Sequence, residues 1–290
     1  MIALLILVRI AASAWMNVLQ KKLASQQVDP LLIVTATFIF LTFLVLPLLL
    51  FYPLWGLSTV FWLNMLGVAL LDAPGNFFLV KAVKLSELSV FGPLNSYKPV
   101  VAMFVGFFFL NEIPTLQGLA GVVIIVVGSF LLSPAAHKME SRANLSWWKE
   151  QGTLYRLLSL VMTACSSIFL KAASQEASPM HTFVAWAVTG APVAIVCLKL
   201  FTPVRVEEIG QEMKKRFASF LWLGILFLVL QILTLYLFAM MKVAYALALF
   251  QLNALAHVFL GWKIFREKNI LPRALGSAIM LAGAVILILA

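Results

Sequence analysis

The sequence predicts an all-α polytopic membrane protein of ten transmembrane helices, arranged as two five-helix repeats of inverted topology. Three observations carry that expectation. Hydrophobic residues make up 63% of the 290 and charged residues 11%, against roughly 45–50% and about 25% in a soluble domain. The apolar residues fall in unbroken runs separated by short polar or proline-bearing breaks. The third observation is that the two halves of the chain repeat one another.

The runs place helices at roughly 2–24, 30–52, 59–82, 87–110, 115–132, 154–173, 180–201, 219–241, 243–265 and 270–290. Spans of about 20 residues cross a bilayer, and ten of them leave no room for a soluble domain. Breaks such as Val28-Asp29-Pro30 and Asn111-Glu112-Ile113-Pro114 allow only tight helical hairpins. The longest polar stretches are 133–153 and 202–218. Runs without period-2 alternation disfavour a barrel. The first run has no charged leader and no small-residue cleavage site, so it reads as a retained helix and not a signal peptide.

Lys22–Pro30 and Lys171–Pro179 agree at five of nine positions, at an offset of 149. Gly106, Glu112, Gly121 and Gly128 recur as Gly261, Glu267, Gly276 and Gly283, at an offset of 155. The expected units are therefore repeat 1–132, linker 133–153 and repeat 154–290. Five is odd, so the second repeat enters the membrane from the opposite side, as in many secondary transporters.

Charge sets the orientation. Lys+Arg 21 against Asp+Glu 11 gives +10, and most cations, Arg156 among them, fall beside loops that follow odd-numbered helices. The opposite side holds little beyond Lys171 and Lys242. The positive-inside rule puts the crowded side in the cytoplasm and both termini outside, in a cell inner membrane. No basic run is interleaved with exposed aromatics, so nucleic acid is not an expected partner. Cys165 and Cys197 lie in apolar runs without CxxC spacing and read as packing residues.

Polar residues at mid-membrane depth are costly and point to function. Asp72 falls near the centre of the third helix and Lys98 near that of the fourth. At the 155 offset Asn76 maps onto Gln231, Lys98 onto Asn253 and Ala102 onto His257. At the 149 offset Asn17 maps onto Ser166. Asn95 shares a helix face with Lys98. Pro74, Pro93 and Pro99 are expected to break or bend the third and fourth helices beside these groups. Broken helices with midplane polar groups mark a transporter's substrate site.

The end of each half resembles a known family. Pro93–Pro99, then Leu110–Gly121 and Gly128, are similar to the EamA-like branch of the drug/metabolite transporter superfamily, and Phe265–Glu267, Gly276 and Gly283 repeat the pattern. The glycine that usually precedes the family's glutamate is here Asn111 and Arg266. The resemblance implies a ten-helix transporter with a central cavity, efflux as the direction, and no enzymatic role or cofactor. Glycines seven apart, as at Gly121/Gly128, also resemble the last helix of small multidrug transporters. They favour packing between the two repeats, and so a monomer, over a homodimer seam.

Three readings of Lys98 stay open. It binds an anionic group of the substrate, it pairs with Asp72 as a structural ion pair, or it tunes Asp72 as a proton-coupling site. Asn95, Asn76, Gln231, Asn253 and Asn17 are candidate substrate ligands, with Asp72 and His257 for protons. His257 could equally be a neutral donor to a carbonyl. Three histidines without i,i+4 pairing do not suggest a metal. Glu112 and Glu267 read as helix-end residues. Trp15, Tyr97, Trp186, Tyr245 and Trp262 are candidate cavity walls. With no nucleotide-binding motif, a gradient or facilitated diffusion would drive transport of a small polar metabolite, an amino acid or other anionic or zwitterionic solute, by alternating access. A flippase for a lipid-linked substrate and a multidrug or organic-cation exporter are the alternatives, and membrane lipids are partners in every case.

Overall fold

The computed structural model describes residues 2–85, 97–132, 151–202, 206–253, 255 and 270–289. The regular structure among these residues is all helical, without a strand. The first half supplies α1 (Ile2–Ser25), α2 (Pro30–Val45), α3 (Thr59–Leu85), α4 (Lys98–Leu110) and α5 (Leu116–Leu132). The second supplies α6 (Gln151–Glu176), α7 (Pro179–Phe201), α8 (Val206–Lys215), α9 (Phe217–Met240), α10 (Val243–Phe250) and α11 (Ile270–Ile288).

Five segments are long and apolar enough to cross a membrane: α1, Pro30–Leu50, α6, α7 and α9. Their outward surfaces are apolar, with Leu4 64% and Phe43 62% exposed. An exposed apolar shell around a packed interior is what lipid requires. The protein is a multi-pass membrane protein.

The repeated Lys22–Pro30 and Lys171–Pro179 segments have a local structural reason. Each ends a helix, turns, and caps the next one. Asp29 accepts hydrogen bonds from the Leu31 and Leu32 amides at 2.8 and 3.3 Å, and Ser178 accepts from the His181 amide at 3.2 Å. Proline follows each cap at the first helical position, where its missing N–H costs nothing.

Four expectations are corrected. The second helix does not stay α-helical to residue 52: it tightens to a 3₁₀ turn over Leu46–Leu50, where Pro47 removes a donor. The third helix does not break at Pro74, since α3 runs through it from Thr59 to Leu85. Beside it, Asn76 Nδ2 donates to the Asp72 carbonyl at 2.9 Å. The ninth helix does not continue unbroken to 265: α10 stops at Phe250 and Gln251–Leu252 form a turn. The 202–218 stretch is not only loop, since α8 lies in it and packs Ile209 against Leu23, Val28 and Leu31. Asn95, His257, Glu87, Glu267 and Trp262 lie outside the described residues.

The most extensive helix contacts run between α3 and α6 and between α5 and α11. Then follow α1 with α9, α2 with α7, and α4 with α10. The α5–α11 contact is backbone on backbone. A Cβ at Gly128 would stand 2.9 Å from the Met280 amide nitrogen, and one at Gly121 3.1 Å from the Gly283 carbonyl. The seven-residue glycine spacing thus packs two helices of one chain.

Candidate functional site

A cavity of about 450 Å³ lies among α1, α2, α3, α6, α7 and α9, with Lys98 of α4 and Leu247 and Phe250 of α10 on its wall. Following the chain fixes its direction. Met16 and Gln20 of α1, Leu31 of α2, Leu79 of α3 and Cys197 and Phe201 of α7 line one part of it. All lie toward the helix ends that carry the 26–29 turn and α8. The cavity therefore extends from mid-depth toward that face.

Its charged lining side chains are Arg9, Asp72 and Lys98. Asp72 of α3 lies near Ser166 of α6 and Trp186 of α7, which line the same cavity, and in the field of Lys98. Lys98 is the first residue of α4, next to Pro99 at the helix start. A lysine there opposes the helix dipole, so two sources of positive potential meet at the cavity wall. Lys98 and Asp72 act on each other electrostatically, but they do not form one of the direct ion pairs among the described residues.

Arg9 of α1 donates from Nε to Thr234 Oγ1 of α9 at 2.9 Å. Its guanidinium stands 3.2 Å from the centre of the Phe250 ring of α10. Facing it is an aromatic group. Phe38, Trp186 and Phe227 meet pairwise with ring centres 5.0, 5.3 and 5.2 Å apart, and all three line the cavity. Hydroxyls around the site are satisfied locally. Thr37 and Thr234 each donate to the carbonyl four residues back, at 2.7 Å, which leaves their lone pairs available as acceptors.

The opposite face is closed. Glu112, just past α4, pairs with Lys171 near the end of α6, with side chains 10% and 9% exposed. Both partners also hold the elbow between α9 and α10. Lys171 Nζ donates to the Met241 carbonyl at 2.8 Å, and the Val243 amide donates to Glu112 Oε2 at 2.9 Å. Asn111 makes this possible by adopting a left-handed conformation, φ 53°, which asparagine tolerates. Beside this group the Thr115 amide donates to Tyr245 Oη at 2.9 Å.

The expected site residues divide. Lys98, Asp72, Asn76 and Gln231 line one cavity, with Gln231 7% exposed. Ser166, the repeat partner of Asn17, joins them, whereas Asn17 is not among the lining residues. Asn253 sits just past the turn that ends α10 and donates to Ser13 Oγ at 3.1 Å, tying that turn to α1. Trp186 is a cavity wall, but Trp15 is 63% exposed and Tyr245 serves the closed face. Arg156 is not a loop cation: it is 9% exposed within α6.

Sequence reasoning passed over Arg9 and gave Glu112 and Lys171 no common role. Arg9 had a signal, since an arginine inside an apolar run is itself a functional flag. The Glu112–Lys171 pair had none, because 59 residues separate its members.

Residues 1–133 match the EamA-like transporter family, whose members are membrane transporters of the drug/metabolite type and not enzymes. This is the branch that the proline, glutamate and glycine motif resembles. No curated protein matches the sequence. Among solved structures, one crystal structure, titled only as that of a protein, superposes with a TM-score of 0.72. The match covers 99% of this chain and 96% of the other at 16% identity, which establishes likeness of fold alone.

Proposed function

We propose, from the EamA-like identity of residues 1–133, that the chain is a ten-span secondary transporter moving a small polar metabolite across the inner membrane by alternating access. The observation that carries this is the cavity itself. It holds Arg9, Asp72 and Lys98 at mid-depth, runs toward one face, and is shut from the other by the Glu112–Lys171 group. A pore would need neither the closure nor the buried charges.

The packing supports two inverted repeats. Exchanging the halves turns the α3–α6 contact into α9–α1 and α2–α9 into α7–α3, and each of these contacts is present. The α2–α7, α4–α10 and α5–α11 contacts exchange with themselves, as contacts on a pseudo-twofold axis do. Two bundles so related can rock about the site and expose it to either side. The positive-inside rule makes the 26–29 face cytoplasmic, so this conformation is open inward. Lys98 contacts an anionic group of the substrate, Asn76 and Gln231 supply hydrogen bonds, and Asp72 is the candidate proton site. Efflux is the proposed direction.

The test is uptake or efflux by proteoliposomes containing wild type or Lys98→Ala. The variant should keep the wild-type melting temperature to within a few degrees and lose transport. Normal transport by Lys98→Ala would sink the site assignment.

A further inference from the structure

The geometry points to a charge rule for the substrate: the cavity is built for a solute of net charge −1, with Arg9 as a second anion ligand beside Lys98. The inference rests on the transporter reading above and deepens it. Among the described residues, the charged side chains that line the cavity are two cations, Arg9 and Lys98, and one carboxylate, Asp72. An arginine keeps its proton. Neither of Arg9's contacts neutralises it, since Thr234 offers a neutral oxygen and Phe250 a ring face. Arg156 also acts on Lys98 at a distance, but it is not among the lining residues.

With the Asp72 carboxylate ionised, the described lining side chains therefore carry one positive charge in excess. In the open state water screens that excess. When the cavity closes around its cargo, the charge enters a low-dielectric interior, where an unbalanced ion costs several kcal/mol. A cargo of net charge −1 cancels it. A neutral zwitterion leaves it in place, and an organic cation doubles it. Recognition follows the same lines. The planar guanidinium of Arg9 and the point charge of Lys98 answer acidic oxygens on the substrate, and Asp72 answers an ammonium if one is present. The Phe38–Trp186–Phe227 group takes the apolar remainder. The class is thus an organic acid with one negative charge, or an amino acid with two acidic groups and one ammonium.

The rule makes the lining charge a dial. Arg9→Gln brings the lining to zero, and Asp72→Asn brings it to +2. The experiment is thermal stabilisation and calorimetric binding with the full-length protein in lipid nanodiscs at low ionic strength. The probes are propionate and L-glutamate (net −1), L-alanine (net 0), succinate (net −2) and tetramethylammonium (net +1). Wild type should bind a net −1 probe at least tenfold more tightly than L-alanine, and tetramethylammonium not at all. Arg9→Gln should move the preference to L-alanine, Asp72→Asn should move it to succinate, and Arg9→Lys should keep the wild-type order. If Arg9→Gln fails to fold, the Asp72→Asn and Arg9→Lys arms decide. A wild type that prefers L-alanine or tetramethylammonium would overturn the rule while leaving a transporter in place. An unchanged order of preference in Asp72→Asn or a folded Arg9→Gln would overturn it too. A wild type that binds none of the five, with empty proteoliposomes, would overturn the transporter reading itself.

Discussion

Lys22 and Lys171 occupy the same position of the nine-residue repeat, yet they live in different worlds. Lys171 is 7% exposed, paired with Glu112, and fastened to the Met241 carbonyl. Lys22 is exposed at the other face, where its backbone carbonyl accepts the Ser25 hydroxyl. One sequence motif is thus buried in an ion pair at one end of the molecule and exposed at the other. The difference is not in the lysine but in what reaches it. At the closed end, the turn after α4 and the α9–α10 elbow converge on α6. At the other end, Lys22 is exposed, and none of the salt bridges among the described residues includes it. Among the described residues, α4 meets α6 more extensively than α1 meets α10.

The largest effect should come from opening the closed end. Removing one partner of a buried ion pair strands the other, at a cost of about 3–5 kcal/mol. Lys171→Met or Glu112→Gln should therefore lower the melting temperature in nanodiscs by several degrees. The double variant Glu112→Gln/Lys171→Met should recover part of that loss, since no charge is left stranded. Single variants that melt like wild type would mean that the closed face is held by packing and not by the pair.

How much of this was legible in the sequence follows from the range over which each feature acts. The helices were legible because apolar runs are local, and the repeat was legible because its caps, Asp29–Pro30 and Ser178–Pro179, are written in adjacent residues. Two helix ends were misread for a physical reason. Hydropathy does not register a turn such as Gln251–Leu252, where one polar residue interrupts a run that is apolar on both sides. The run through Pro74 was misread in the other direction, since α3 absorbs a proline where Asn76 bonds to the Asp72 carbonyl. Lys98, Asp72, Asn76 and Gln231 could be found by asking which polar groups lie at mid-depth. Arg9 answered the same question, but in the first run only Asn17 was singled out, through its repeat partner Ser166. Glu112 and Lys171 needed three-dimensional contact to become a pair.

A smaller effect tests the packing beside the ion pair. A Cβ on Gly118 would fall 1.9 Å from Tyr245 Oη, and the Thr115 amide depends on that same oxygen. Gly118→Ala must push the ring aside, at about 1–3 kcal/mol for overpacking. Tyr245→Phe removes the hydrogen bond, at about 1 kcal/mol; its ring carbons still stand 2.2 and 2.8 Å from that Cβ, but a ring without the hydrogen bond is freer to move aside. Gly118→Ala in the Tyr245→Phe background should then cost less than in wild type, a coupling that a double-mutant cycle of melting temperatures reads directly. Strict additivity would mean that the tyrosine does not hold the closed face.

The smallest effect is expected at the open end, and it is the most telling. Lys22→Ala removes an exposed side chain, and surface substitutions away from special features fall within about 0.5 kcal/mol. Its melting temperature should match wild type to within about a degree, set against the several degrees lost at the repeat-equivalent Lys171. A loss as large as that of Lys171→Met would erase the comparison, because both ends would then be pinned in the resting protein. The transport assay divides the remaining ground. If Lys22→Ala melts and transports as wild type does, the repeated lysine works at one end only. If it melts normally but transports slowly, Lys22 acts in an arrangement other than this one, where the open face has closed. Equal sequence and unequal burial would then be two moments of one cycle.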